Sequence, residues 1–337
     1  MGGGGGPLAE PDGDILGAVD VTRSAMAADS HRSSSSAGVV RERKEWVQHD
    51  GLAFYTHLYV AAQQPPRATV LVVHDICEHT NRYDALARAF ARAGIQVLGF
   101  DQRGFGHTGQ RNAPRAHLGD SGGAGAVVRD IGFMSRRVAI RGVPHFLFGH
   151  SAGGTNALNY CRVGNGDGLV RGVIASAPAL TMGRMLFPAA PGLLFSSAWA
   201  RRLRAKIAPH ARTYAKLTPA MLTDNAREIE RLAASRYMMD WCTAATLAAM
   251  VDVGRSVRKS APAFVTPLLV IHGDCDVAAP CEGVRDFIFR LPAHTDKEYV
   301  ELVNCAYHEI DFQDNLDINP TAKYIDWIIS RTPAAAI

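Results

Sequence analysis

Short, nearly unbroken apolar runs recur along the chain: ATVLVVH (68–74), IQVLGFD (95–101), HFLFGH (145–150), LVRGVIASAPA (169–179) and PLLVIHGD (267–274). Each has the length of a strand and lacks polar alternation, as expected for strands buried on both faces of a sheet. Between them lie stretches of helical period. YDALARAFARAG (83–94) ends in a glycine stop, and VVRDIGFMSRRVAI (127–140) and AGGTNALNYCR (152–162) repeat the pattern. Strand and helix alternate, which predicts parallel βαβ units in a doubly wound α/β sheet. Ahead of them, KEWVQHDGLAFYTHLYVA (44–61) reads as two strands around an Asp50-Gly51 turn, adding antiparallel edge strands before a break at Pro65-Pro66.

From about Leu180 to Ala263 the rhythm breaks into helical or irregular stretches, among them SAWARRLRAKIA (197–208) and NAREIERLAASRYM (225–238). It resumes with PLLVIHGD, the helix CEGVRDFIFRL (281–291), the strand KEYVELVN (297–304) and the terminal helix PTAKYIDWIISR (320–331). An insertion between two strands of one sheet is most simply a cap over the carboxyl ends of the strands, where α/β sheets place their sites. The expected organisation is a Gly- and Ser-rich disordered tail (1–41), a first core segment (42–180), a helical cap (181–263) and a second core segment (264–337).

Composition narrows the class without naming it. At 337 residues, with 47% apolar and 20% charged, the chain reads as an ordinary globular protein with a large core. A net charge of +4 and no arginine-rich run with interleaved aromatics argue against nucleic acid. Six scattered cysteines and no secretory signal point to free thiols in a reducing compartment. No apolar run is long enough to span a bilayer, and Gly6 stands where a myristoylation signal needs Ser or Thr. A cytoplasmic protein, at most peripheral on membranes or lipid droplets, is expected.

The sharpest chemical signal is Gly149-His150-Ser151-Ala152-Gly153, a G-x-S-x-G placed after an expected strand and before an expected helix. So tight a reversal leaves no room for bulky neighbours, and it pushes the serine hydroxyl out at the top of the sheet. The helix start behind it aims free N–H groups at developing negative charge. A serine needs a base and an orienting acid, which in this architecture follow in the order Ser, acid, His. The loop after PLLVIHGD offers Asp274 and Asp276, and VELVNCAYHEID ends the next strand with His308. Ser151 as nucleophile, His308 as base and Asp276 as acid are therefore expected. Asp274 lies closer to the strand end and is placed to bond the loop instead.

The stretch HDICEH (74–79) invites a zinc reading, since imidazole, thiolate and carboxylate are good ligands. No other His/Cys cluster supplies a further ligand, so neither a metal nor a cofactor is expected. Together these elements resemble the α/β-hydrolase superfamily and, more narrowly, the monoacylglycerol lipase-like serine hydrolases. That family carries His-Gly-x-Gly-Glu-His followed by Arg-Tyr at this strand end. Here stand His74-Asp75-Ile76-Cys77-Glu78-His79 and then Arg82-Tyr83, with FDQRGFGHTG (100–109), His272-Gly273-x-x-Asp276 and Ala306-Tyr307-His308 matching further motifs. The resemblance covers about residues 42–332 and is weak in the cap.

The resemblance implies an α/β-hydrolase fold with an inserted cap. It implies an oxyanion hole made by the backbone amides of Ile76 and Ala152, and a polar pocket end near glycerol built by Glu78 and Arg82. For Glu78 and Arg82 a loop salt bridge is the equal alternative. The implied reaction is cleavage of monoacylglycerols to fatty acid and glycerol. Alternatives are another carboxylic ester, a lysophospholipid, acyl transfer, or a catalytically silent lipid-binding fold. Asp75 and Cys77 stand where the family prefers glycine. A left-handed backbone at Cys77 would reshape the hole, and the Asp75 carboxylate would disfavour the anion unless its side chain points away. Asp311 falls where the animal enzymes carry a histidine. The cap's RMLFPAAPGLLFSSAWARRLRAKIA (184–208) is apolar and then basic, which suits contact with a membrane or lipid-droplet surface, the alternative being packing on the core with a solvated arginine face.

Overall fold

A computed structural model describes residues 40–113, 116–183, 198–214 and 218–333. The expected disordered tail lies outside the described residues up to position 39, and Val40 is already buried. The apolar part of the 184–208 stretch, up to position 197, also lies outside them.

Eight strands form one sheet. In chain order they are β1 (Glu42–His49), β2 (Leu52–Tyr59), β3 (Ala68–Val73), β4 (Ile95–Phe100), β5 (His145–His150), β6 (Val170–Ser176), β9 (Leu268–Gly273) and β10 (Lys297–Leu302). Their spatial order is β1-β2-β4-β3-β5-β6-β9-β10. β1 and β2 pair antiparallel around the Asp50-Gly51 turn, β2 joins β4 antiparallel, and the remaining pairs are parallel. Two short strands outside this sheet, β7 (Arg212–Tyr214) and β8 (Trp241–Thr243), pair with each other.

The unbroken apolar runs are explained by side-chain alternation across a doubly covered sheet. Leu71, Val73, Leu147, Val173 and Val270 face one core. On that side lie α3 (Gly123–Val138), α4 (Ser151–Val163), α8 (Ala244–Lys259) and α9 (Glu282–Phe289). Val70, Val72, Phe146, Phe148, Ile174 and Leu269 face the other, against α1 (Asp84–Arg92) and α10 (Pro320–Ile329). Both layers are needed, because every second residue of a central strand would otherwise meet water.

Between β6 and β9 the described elements are α5 (Ala198–Ile207), β7, α6 (Pro219–Leu222), α7 (Ala226–Ala234), β8 and α8. The β7–β8 ribbon departs from the expectation of a strand-free insertion. It pairs three residues with three, too few to show alternation in the sequence. α2 (Gly106–Asn112), which begins inside the FDQRGFGHTG stretch and runs past its end, was likewise not expected as a helix. Arg202 of α5 pairs with Asp252 of α8 at 2.7 Å, so part of the basic face is engaged by the protein itself. Among the described residues no helix is long and apolar enough to cross a membrane.

Candidate active site

β5 delivers Ser151 at its carboxyl end, and α4 starts at that residue. Ser151 adopts φ +53°, the left-handed strain a strand-to-helix reversal imposes. The flanking glycines are dictated by crowding. A Cβ at Gly149 would lie 2.5 Å from the Gly153 carbonyl oxygen, and one at Gly153 would overlap the Val73 and His74 carbonyls of β3 and its following loop. Gly153→Ala is accordingly expected to lower stability by about 2–3 kcal/mol, since backbone cannot yield as a side chain can. An unchanged midpoint in thermal denaturation would contradict this packing.

His308 sits in the loop after β10, and Asp276 in the loop after β9. Ser151 Oγ lies 2.7 Å from His308 Nε2, and His308 Nδ1 lies 2.6 Å from Asp276 Oδ2. The other Asp276 oxygen accepts the Ala278 and Ala279 N–H groups at 2.8 and 2.9 Å, which fixes its orientation. Asp274 instead accepts the Cys305 N–H at 3.0 Å. Burial alone would lower the His308 pKa, but the Asp276 carboxylate pushes it up to about 9. Burial opposes the charge on Asp276, yet His308 and His272 hold its pKa well below the usual carboxylate range. Such a line of hydrogen bonds can carry a hydroxyl proton to imidazole and stabilise the imidazolium that results.

The loop after β3 completes the site in an unexpected way. Cys77 has φ +66°, the left-handed conformation that glycine adopts without strain. Its carbonyl accepts the Met239 N–H at 2.8 Å, and its thiol donates to the Trp241 carbonyl at 3.2 Å, so the loop is tied to the segment between β6 and β9. The Asp75 side chain does not point away. Its Oδ1 accepts the Ala152 N–H at 2.9 Å, and the neighbouring Ile76 amide also favours the charged carboxylate. An amide expected to form the oxyanion hole is thus already taken by a carboxylate.

Glu78 and Arg82 pair with each other within a larger ionic cluster. Arg82 is buried and donates to Glu78, to Glu309 at 2.8 Å and to Glu228 at 2.8 Å. The Tyr83 hydroxyl and the Asp75 N–H both donate to Glu78 at 2.6 Å, which braces the loop. Burial would raise the Glu78 pKa, but Arg82 holds it below its ordinary value. Glu78, Arg82 and Glu309 also line a cavity of about 360 Å³ that reaches Ser151 and His308. Its apolar wall comes from the segment between β6 and β9, with Leu222, Leu232, Met238, Trp241 and Met250.

Sequence reasoning missed Glu228 and Glu309. Glu228 lies in the first turn of α7, where Asn225 caps the helix by accepting the Arg227 and Glu228 N–H groups. Glu309 is held by its N–H bond to the Leu222 carbonyl at 2.9 Å. Adjacency to His308 was the one available signal for Glu309, and Glu228 had none. Asp311 does not face the cavity; it is buried against Ser176 and Tyr324 at 2.6 and 2.8 Å. The HDICEH residues do not gather around a point. His74 accepts the Gln102 N–H at 2.8 Å, and Asp75 is the one member that joins a cluster of potential ligand atoms among the described residues, with His150 and His308.

Known proteins carry the same plan. The family model Hydrolase_4, described as serine aminopeptidase S33, matches residues 64–315. A Schizosaccharomyces pombe protein provisionally named a monoglyceride lipase is 29% identical over 282 residues, covering 82% of this chain and 71% of that protein. The monoacylglycerol lipase of Mycolicibacterium smegmatis is 27% identical, covering 79% and 89%. The crystal structure of the Saccharomyces cerevisiae monoglyceride lipase, in a soluble variant with a substrate analogue, shares the fold with a TM-score of 0.75 at 21% identity, over 90% of this chain and all of that one. The chain belongs to the Hydrolase_4 (serine aminopeptidase S33) family of α/β-hydrolases, and within it is similar to monoacylglycerol lipases.

Proposed function

We propose that the chain is a carboxylic ester hydrolase that releases fatty acid and glycerol from monoacylglycerols through an acyl-enzyme on Ser151. The observation that carries this reading is the Ser151–His308–Asp276 hydrogen-bonded line opening into a cavity with one apolar wall and one ionic end. In the mechanism, Ser151 Oγ attacks the ester carbonyl while its proton passes to His308 Nε2, and Asp276 steadies the imidazolium. The Ile76 and Ala152 N–H groups receive the oxyanion. His308 then protonates the departing glycerol oxygen, and water attacks the acyl-enzyme with His308 as base.

The acyl chain is assigned to the apolar wall, and residues 181–263 act as the cap that supplies it. The glycerol end is assigned to Glu78 and Arg82, joined by Glu309. Three carboxylates around one guanidinium suit hydroxyl donors and repel a phosphodiester, which favours monoacylglycerol over lysophospholipid. The exposed face of α5, with Leu203 and Ile207 beside its basic residues, supports contact with a lipid surface.

The test is fatty-acid release from mono-oleoylglycerol, dioleoylglycerol and lysophosphatidylcholine micelles. A kcat/KM for the monoester at least about tenfold above the other two is expected, a margin that one set of mismatched polar contacts supplies. Equal rates on all three would remove the glycerol assignment, and a faster rate on the lysophospholipid would reverse it.

A further inference from the structure

The acceptor already seated in the presumed oxyanion hole calls for an explanation, because a transition-state oxyanion and a carboxylate cannot share the same two N–H groups. Asp75 Oδ1 takes the Ala152 N–H at 2.9 Å, the adjoining Ile76 amide favours the charged carboxylate, and ligand atoms of Asp75, His150 and His308 lie within 4.8 Å of one another. We propose that Asp75 is a proton-operated gate on the oxyanion hole: ester cleavage proceeds from the form in which its carboxyl is neutral and gives up the Ile76 and Ala152 N–H groups to the substrate carbonyl oxygen. The proposal rests on Ser151 being the nucleophile, but not on the identity of the ester.

The physical basis is the strength of the competing bonds. An ionised carboxylate binds backbone N–H groups roughly twice as strongly as a neutral acceptor does, so the charged form holds the hole against an ester carbonyl. It also places a negative charge where the reaction must build another. Protonation removes both obstacles, and the neutral carboxyl has an O–H to offer the carbonyl oxygen. The attack then balances as before. The Ser151 oxygen bonds the carbonyl carbon, the carbonyl π pair becomes the oxyanion, and the Ser151 proton goes to His308.

The groups around Asp75 set when this happens. Glu78 and Cys77 face it from its own loop, His150 and Ser151 from the β5–α4 turn, and His308 from the loop after β10. Asp240, in the segment before β8, lines the same cavity. Burial and the Glu78 charge raise the Asp75 pKa to about 7, against the pull of His308 and the two amides. Burial would lower His308, but Asp276 and then Asp75 push it up to about 9. Between these values the pair holds one proton, and its two locations are opposite in effect. On His308 it removes the base and leaves the hole filled; on Asp75 it frees both.

The test is the rate of Ser151 labelling by a fluorophosphonate, whose phosphoryl oxygen needs the same hole, measured from pH 6 to 10 on the full chain and on Asp75→Asn. The native chain is expected to give a bell, falling on the alkaline side as the pair loses its last proton. Asp75→Asn should give a single rise to a plateau with no alkaline fall, because the rise is then set by the titration of His308 alone. By pH 10 the variant should label at least about tenfold faster than the native chain. Asp75→Ala separates charge from bulk and stands in if the asparagine variant does not fold; a matching plateau identifies the charge as the gate. Parallel profiles in native and variant, or slower labelling of Asp75→Asn at every pH, would overturn the gate. Labelling of neither chain would overturn the gate and the nucleophile together. A chain that labels with the expected profiles yet spares monoacylglycerols would keep the gate and remove only the substrate assignment.

Discussion

Ser151→Ala is expected to reduce hydrolysis of a chromogenic ester by at least about 10⁴-fold while leaving the protein as stable as before. The size follows from the role, since removing the nucleophile of a serine hydrolase removes the covalent route and leaves only binding and the oxyanion donors. The neutrality toward folding follows from the backbone. Ser151 sits at φ +53°, and alanine meets the same left-handed strain as serine, so the substitution exchanges one strained residue for another. The lost Oγ contact to His308 leaves the imidazole bonded to Asp276. Ester turnover and thermal denaturation, measured on the same preparation, check both halves. Residual activity within tenfold of the native chain would remove Ser151 from the mechanism.

The second large effect is on stability. Arg82→Met leaves Glu78, Glu228 and Glu309 buried without the guanidinium that bonds all three. Removing one partner from a buried ionic cluster costs about 3–5 kcal/mol, because the remaining charge stays desolvated. Urea denaturation at neutral pH is expected to register that loss. The pH dependence should also change sign. In the native chain the Glu78 pKa is held below its ordinary value, so its contribution is present above the unfolded pKa and lost as pH falls through the folded one. In Arg82→Met burial loses its largest opponent, with only His74, the Tyr83 hydroxyl and the Asp75 N–H left to favour the charge, and the Glu78 pKa is expected to rise above the unfolded value. The variant should therefore recover part of its stability on acidification from pH 7 toward 5, where the native chain gains nothing. A variant that loses under about 1 kcal/mol would mean that the cluster is solvated.

Much of this architecture was legible in the sequence wherever a local requirement forced a local pattern. Central strands such as β3 and β5 must be apolar on both faces, so they read as unbroken runs. The reversal at Ser151 excludes side chains at Gly149 and Gly153, so it announces itself in five residues. Chain order then led to Asp276 and His308. Features that depend on distant partners left no such trace. Glu228 meets Arg82 across 146 positions of sequence, and nothing around either marks the meeting. The β7–β8 ribbon pairs segments too short for periodicity. Asp75 was visible as a departure from the family pattern, but the direction of its side chain is a property of the packed loop.

The order of the strands has a consequence for how the protein acquires activity after synthesis. β9 pairs with β6, yet residues 177–267 separate them, and His308 lies 157 positions from the serine it faces. Closing so long a loop carries an entropic cost that must be met before the new contacts reward it, so pairings of this kind form late. The part of the sheet that holds Ser151 can assemble from neighbouring segments on the nascent chain. Asp276 and His308 arrive only after residues 177–267 have been made, so under the proposed mechanism the chain cannot turn over ester until β9 and β10 have joined the sheet.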